Sequence, residues 1–306
     1  MKKHLFVVNP AAGGKRARND TYIKEIQEFS DAMDELSEVY YTQGPMDACA
    51  KIKQEATEHE ELRVYACGGD GTLNECVNGA ALSPNVAVGI YPHGTGNDFL
   101  KTFGERDMAK FRDLRTLVAG ETRAVDLIDC NGRYGVNICS VGIDARVGTD
   151  VHKYSKIPII GGSTAYVVSL MVNTIKGVKT KMRVIARDID ITADYSLICA
   201  CNGRFYGGGF NPVPEALIDD GVLEFLLVAG VSRLKVAQIV KRYSQGRFRE
   251  LADVITHIRG DYLRICCEKT FVVNVDGEAI YSDDINFKLI PGGVNIIFPP
   301  GLEYFN

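Results

Sequence analysis

The first third of the chain alternates short apolar runs with stretches of helical periodicity, and few architectures accept that order. Leu5–Val8 stops at Asn9-Pro10, with Gly13-Gly14 just beyond. Residues 20–38 then place Tyr22, Ile23, Ile26, Phe29, Met33 and Leu36 at helical spacings. Val39–Thr42, Arg63–Cys67 and Val86–Tyr91 are strand-like. Helical patterns lie between them, from Gly44-Pro45 to about Glu60 and over Thr72–Ala81, and return in 97–103 and 107–118. Such alternation predicts a mostly parallel, Rossmann-like sheet with helices on both faces.

After about Arg123 the texture changes to short β-rich runs divided by turn signals. These include Asn131-Gly132, Asn202-Gly203, Asp220-Gly221, Asp276-Gly277 and Pro291-Gly292-Gly293. Strands are expected over 133–140, 181–187, 195–201, 223–228, 271–275, 285–290 and 294–298, with helices over about 162–177 and 232–250. The expected organisation is an α/β domain over 1–124, an antiparallel β-sandwich domain over 125–296, and a return of 297–306 to the first domain.

A length of 306 residues suffices for two such cores. The net charge of −4 lacks the basic excess of a general nucleic-acid binder, so no nucleic-acid partner is expected. The nine cysteines are scattered without a CxxC pair, which argues against a disulfide framework or zinc site and for a reducing cytoplasm. Cys199 and Cys201 share one face of a strand by its period of two. Lys2 and Lys3 before Leu5–Val8 imitate a signal peptide, but that run is shorter than the roughly 7–15 residues required. No stretch approaches the roughly 20 apolar residues of a membrane span.

The strongest chemical signal is Gly68-Gly69-Asp70-Gly71-Thr72-Leu73-Asn74-Glu75, where a buried strand gives way to a helix. Ligands bind at such strand ends in open α/β sheets. Glycines admit a close ligand, and the helix start offers unpaired N–H groups to an anion. Asp70 could hold a magnesium ion bridging phosphates, and Thr72 could donate to phosphate or cap the helix. A tight turn with an N-cap explains the same residues without a ligand, although an aspartate between glycines favours the ligand. Val86–Tyr91 leads to a second loop of the same kind, Pro92-His93-Gly94-Thr95-Gly96-Asn97-Asp98-Phe99. Two such loops on neighbouring strands would converge on one crevice. Neither is a Walker A loop or a dinucleotide fingerprint.

Asn9-Pro10 with Gly13-Gly14, the GGDGTLNE run and the GTGNDF run together resemble the diacylglycerol-kinase catalytic-domain family, which includes sphingosine, ceramide and bacterial lipid kinases. The similarity continues in order through Val125-Asp126-Leu127, Gly142-Ile143-Asp144-Ala145, Asn202-Gly203, Gly207-Gly208-Gly209, Pro214-Glu215-Ala216, Ile218–Leu223 and Val275-Asp276-Gly277-Glu278. The resemblance implies an ATP- and Mg2+-dependent lipid kinase, with diacylglycerol the favoured acceptor and phosphatidic acid the product. ATP would contact Asn9, Thr42, Gly68 to Asn74, Thr95, Gly96 and Asn97. Asp70, Asp98 and Asp126 would serve the nucleotide magnesium and phosphates. A structural magnesium would take the carbonyls of Leu217 and Val222 and the carboxylate of Asp220. Relatives often carry lysine where Leu217 stands, which a carbonyl ligand tolerates. With no membrane span, a lipid acceptor would be reached peripherally, at an anionic membrane surface in the cytoplasm, and the resemblance adds homodimer assembly as an option.

Phosphoryl transfer needs an acceptor for the alcohol proton. Asp276 or Glu278 is expected to fill it, the choice between them being open. An Asp-Gly between alternating apolar residues is equally a hairpin turn. Lys15, Arg16, Arg18, Lys153, Lys156 and the cations of 232–250 read first as solvated faces and second as a membrane-docking patch. Ile157–Val178 reads as a core helix or as part of an acyl-chain pocket, and His93 as a loop residue. The rivals are another lipid acceptor, an NAD-kinase-like enzyme, and a nucleotide-binding regulator without catalysis.

Overall fold

Parallel pairing begins at the N-terminus, where β1 (Lys2–Val8) lies between β2 (Ser37–Tyr41) and β3 (Glu61–Gly68), and β3 continues in parallel to β4 (Val86–Pro92). The structure is a computed structural model describing residues 1–10, 12, 20–94, 96–143 and 179–305. The chain divides into two units, Met1–Val125 with Gly292–Asn306, and Asp126–Pro291. Lys15, Arg16, Arg18, Thr95, Lys153, Lys156 and the stretch 157–178 lie outside the described residues.

In the first unit, β1, β3 and β4 are buried almost throughout and apolar in their C-terminal halves, as strands covered on both faces must be. The helices α1 (Asp20–Asp31), α2 (Asp47–Glu58) and α3 (Asp70–Ala80) link the strands, and each turns a buried stripe inward, such as Ile26, Ile52 and Val77. The first helix ends at Asp31 rather than 38. Leu36 is drawn onto the sheet instead, its carbonyl accepting the His4 amide at 2.8 Å. The helical patterns of 97–103 and 107–118 become α4 (Asp98–Lys101), α5 (Gly104–Met108), a 3-10 turn at Ala109–Arg112, and α6 (Leu114–Val118). Gly104 takes φ +78°, which ends the first piece, and the Asp113 side chain caps α6 by accepting the Arg115 amide.

The second unit is antiparallel. Its strands are β5 (Glu121–Cys130, which enters from the first unit), β6 (Arg133–Gly135), β7 (Ile138–Gly142), β8 (Thr180–Ala186), β9 (Ile189–Cys201), β10 (Leu223–Ala229), β11 (Ile255–Gly260), β12 (Tyr262–Val275) and β13 (Glu278–Phe298). Pairing runs β11 to β10 to β9 to β7 to β12 to β13, with β8 bridging β9 and β12. Alternation along β9 and β10 feeds two apolar clusters. Leu197, Cys199, Cys201, Leu226 and Val228 join one; Ile198, Ala200, Phe225 and Leu227 join the other. Cys199 and Cys201 thus share a face as expected, and all nine cysteines are free thiols. The amphipathic helix α7 (Arg233–Ser244), capped by Ser232, covers the first cluster with Val236, Ile239 and Tyr243.

Three sequence expectations change here. The run 133–140 splits at Val136-Asn137. The stretch 232–250 splits into α7 and a 3-10 turn at Phe248–Leu251, because Gly246 adopts φ +72°. The expected strands 285–290 and 294–298 fall in one strand, Glu278–Phe298, which passes through Pro291-Gly292-Gly293 with Gly292 at φ +57°. The first unit therefore regains the chain at Gly292, and Asn295–Ile297 pair in parallel with Ala87–Gly89 of β4.

Candidate active site

The two glycine loops are set side by side by strand register. Cys67 pairs with Tyr91 and Gly68 with Pro92, so β3 and β4 end level. The His93 amide donates to the Gly68 carbonyl at 2.7 Å. Beyond that bond the backbones touch: a Cβ on Gly69 would lie 3.1 Å from the Cα of Gly94. A side chain on Gly68 would strike the Thr72 hydroxyl, and one on Gly96 would strike the Asp70 carboxylate. These glycines are required by close approach rather than by backbone angle.

Asp70 opens α3, and its Oδ1 accepts the backbone amide of Asp98 at 2.7 Å, joining the first loop to the second. Asn97 holds the left-handed conformation (φ 48°) that turns the second loop into α4. Asp98 is buried and receives Lys101 Nζ at 2.6 Å. Burial first, and the Asp98 carboxylate second, push the Asp70 carboxyl up to about 6, against the pull of the Asp98 and Asn97 amides.

A cavity of about 330 Å³ adjoins this turn, lined by Asn9, Pro10, Thr42, Gln43, Gly44, Pro45, Thr72 and Glu75. Asn9 Nδ2 reaches Thr72 Oγ1 at 3.4 Å. Asn9, Thr42 and Thr72, each expected from sequence to meet a nucleotide, therefore border one space. Leu73 and Asn74 do not: the Leu73 amide already donates to the Gly69 carbonyl, and both side chains are buried. His93 is more than a loop residue, because its ring stacks on Tyr22 with centroids 3.8 Å apart.

In the second unit Asp126 belongs to the Asp-Asp-Gly turn. Its Oδ2 accepts the Gly221 amide at 2.8 Å, its own amide donates to the Ile218 carbonyl, and its carbonyl accepts Asn202 Nδ2. Asp220 Oδ1 accepts the Val222 amide at 3.1 Å, and Arg259 stands 3.5 Å from Oδ2. Burial raises the Asp220 carboxyl above the ordinary value; Asp126 and Glu224 add to the rise, while Val222 and Arg259 oppose it. At the hairpin between β12 and β13, Asp276 and Gly277 have φ of 52° and 99°. The Asp276 carboxylate accepts the amides of Val136, Asn137 and Ile138 at 2.6, 3.0 and 2.9 Å. Glu278, two residues on, is exposed at the start of β13.

Residues 3–130 match the diacylglycerol kinase catalytic domain, and residues 137–298 match the YegS C-terminal NAD kinase beta sandwich-like domain. The chain belongs to the diacylglycerol kinase catalytic-domain family. Within it, the Probable lipid kinase YegS-like of Pectobacterium atrosepticum is 28% identical over 307 residues, covering 97% of this chain and 96% of that protein. A Staphylococcus haemolyticus protein named as a lipid kinase is 26% identical over 258 residues, covering 83% and 82%. The fold matches a Bacillus anthracis Sterne crystal structure described as a diacylglycerol kinase, with TM-score 0.69, 21% identity and 98% of each chain covered. The protein is a lipid kinase of this family, a family that uses ATP as phosphoryl donor.

A divalent cation fits the residues present. Asp70 and the buried Asp98 bring two carboxylates together, and a cation would offset both the desolvation that chiefly raises the Asp70 carboxyl and the repulsion from Asp98. At the Asp-Asp-Gly turn a second pair of acids, Asp220 and the buried Asp126, offers carboxylate oxygens to a cation. Sequence reading missed Glu75 and Gln43 as lining residues, although Glu75 stands three residues after Thr72 on the same helix and so on the same face. It also missed the three amides on Asp276, for which the local sequence carries no signal.

Proposed function

We propose that this lipid kinase transfers the γ-phosphate of ATP to the hydroxyl of diacylglycerol, giving phosphatidic acid. The observation that carries the nucleotide half of this reading is the glycine-to-glycine contact of the two loops, with Asp70 and Asp98 beside it. The first turn of α3 presents amides of Asp70, Gly71 and Thr72 where phosphates would lie, and the helix dipole favours negative charge there. Asp70 and Asp98 would hold Mg2+, which when bound supplies charge neutralisation for the transferred phosphoryl group. The acceptor hydroxyl attacks the γ-phosphorus, the β–γ bridging bond breaks, ADP leaves, and the hydroxyl proton passes to a carboxylate.

Glu278 is that carboxylate in our reading. Asp276 is occupied in holding the 136–138 backbone, whereas Glu278 is exposed at the turn. Asp276 is then a positioning residue for the hairpin that carries Glu278. Asp126 and Asp220, with the carbonyls of Leu217 and Val222, would hold the second, structural cation at the Asp-Asp-Gly turn.

An apolar acceptor suits the second unit. Ile143, Leu197, Phe210, Val236, Ile239 and Tyr243 line a hollow of about 60 Å³ between α7 and the sheet, of a chemistry that suits the end of an acyl chain. No described helix is long and apolar enough to cross a membrane, so the lipid would be met at the membrane surface, where α7 carries Arg233, Lys241 and Arg242. Incubation with γ-labelled ATP and a panel of diacylglycerol, monoacylglycerol, sphingosine, phosphatidylglycerol and NAD, followed by chromatography, tests the reading. Labelled phosphatidic acid is expected. Label in another lipid would move the assignment to that acceptor, and label in NAD alone would overturn it.

A further inference from the structure

A short chain of charges on β10 and β11 ends at the Asp-Asp-Gly turn. Arg259 of β11 stands directly opposite Glu224 of β10, so the two side chains share a face of the antiparallel pair. Arg259 Nε donates to Glu224 Oε1 at 2.8 Å. The other oxygen of this buried carboxylate meets His257 Nε2, also from β11. Held on both oxygens, the Glu224 carboxylate is fixed, and it fixes the guanidinium in turn. Arg259 Nη2 thereby lies 3.5 Å from Asp220 Oδ2, while Asp220 Oδ1 accepts the Val222 amide. The two contacts of Arg259 are unequal, short to Glu224 and long to Asp220. The guanidinium can release Asp220 without losing its own counter-ion.

We infer, resting on the cation reading of this turn, that Arg259 is a resident counter-cation of Asp220 and lowers the affinity of the turn for a divalent ion. A guanidinium at this distance neutralises the carboxylate while no metal is bound and repels a metal that approaches it. Arg259 is exposed, so water and salt screen the effect, and it tunes affinity rather than blocking the site. Loss of the charge acts in one direction only. Asp220 would lose its neutralising partner, and Glu224 would keep His257 alone, which leaves more negative potential beside the turn. Lysine at this position would retain the positive charge without the planar fork. Arg259 thus touches neither nucleotide nor lipid in this reading; it sets the cation concentration at which the turn fills.

The test titrates the full chain, without nucleotide, with Mn2+ as the probe and counts free ion by its paramagnetic resonance signal. Asp220→Asn alongside marks the binding that belongs to this turn. In Arg259→Gln that binding is expected to tighten roughly three- to tenfold, and in Arg259→Lys to stay within about twofold of wild type. The gain in Arg259→Gln should shrink as salt is raised. Unchanged or weaker binding in Arg259→Gln would overturn the inference and leave the cation site standing. A lysine variant that shifts as far as the glutamine one would overturn it too, since charge would then not be the cause. Absence of any Asp220-dependent binding in the wild type would overturn both the inference and the cation reading. Should Arg259→Gln fail to fold, Arg259→Met, which keeps an apolar stem, is judged by the same tightening.

Discussion

Oδ1 of Asp276 accepts, at 3.0 Å, the backbone amide of Asn137, a residue 139 positions earlier in the chain that leads into β7, the neighbour of β12. Together with the bonds to Val136 and Ile138, this makes the carboxylate a clamp on a strand break. It separates two neighbouring acids that sequence reading leaves as equals. Asp276→Ala should strip three amides of their acceptor and lower stability by about 2–3 kcal/mol. Glu278→Gln should leave the thermal midpoint within a degree or two and lower kcat by roughly 10²–10⁴-fold. Thermal melts and initial rates on both variants check this; a melting loss in Glu278→Gln with activity retained would reverse the assignment.

The contact between Gly69 and Gly94 predicts a steric effect in the first unit. Gly94→Ala would place a methyl 2.5 Å from the Cα of Gly69 and 3.0 Å from Asn97 Oδ1, so one loop must move. The expected outcome is a loss of about 1–3 kcal/mol in stability with a raised KM for ATP. Gly44→Ala, where nothing lies within 4 Å of the added methyl, is the matched control and should change melting little.

Asp70 gives a pH signature. With its folded value up at about 6, the folded chain keeps a proton that the unfolded chain has lost between the ordinary carboxylate range and that value. The Asp70 contribution to stability therefore falls as pH rises from about 4 to 6 and is level above 6. Asp70→Asn keeps an acceptor for the Asp98 amide and removes the charge. It should melt higher than wild type at pH 7.5 without added cation, show a flatter pH dependence between 4 and 6, and lack kinase activity. Melting curves across that range provide the measurement.

Cation removal should act at the Asp-Asp-Gly turn as well. Millimolar Mg2+ is expected to raise the melting temperature of the wild-type chain, by binding the folded form alone. Asp220→Asn should lose most of that increment, since it removes the carboxylate that burial chiefly, and Asp126 and Glu224 in addition, hold above its ordinary value. An equal Mg2+ increment in both proteins would place the cation elsewhere.

Much of the fold was legible because local pattern and burial agree. Leu5–Val8, Val64–Cys67 and Val86–Tyr91 are apolar without alternation, and they lie in the strands buried on both faces. The turn glycines also announced themselves. What remained hidden depends on distant partners. The Asp276 clamp joins residues 138 to 140 positions apart, and nothing in a Val-Asp-Gly-Glu turn names the amides it holds. Asp126 was read as a third acid for the nucleotide cation, and its bond to Gly221, 95 positions away, carried no local signal. Glu75 was written into the GGDGTLNE run, but its place in a cavity depends on where β1 and β2 release the chain. Helix ends slipped where one residue took a left-handed angle, as at Gly104 and Gly246.

The level ends of β3 and β4 carry a consequence for how this enzyme can be altered. Two segments that meet atom to atom without side chains between them have no slack to absorb change, so neither loop evolves or is redesigned by itself. A library that randomises one of them alone would return mostly dead proteins. Variants with shifted donor or metal preference should emerge from paired changes across the seam.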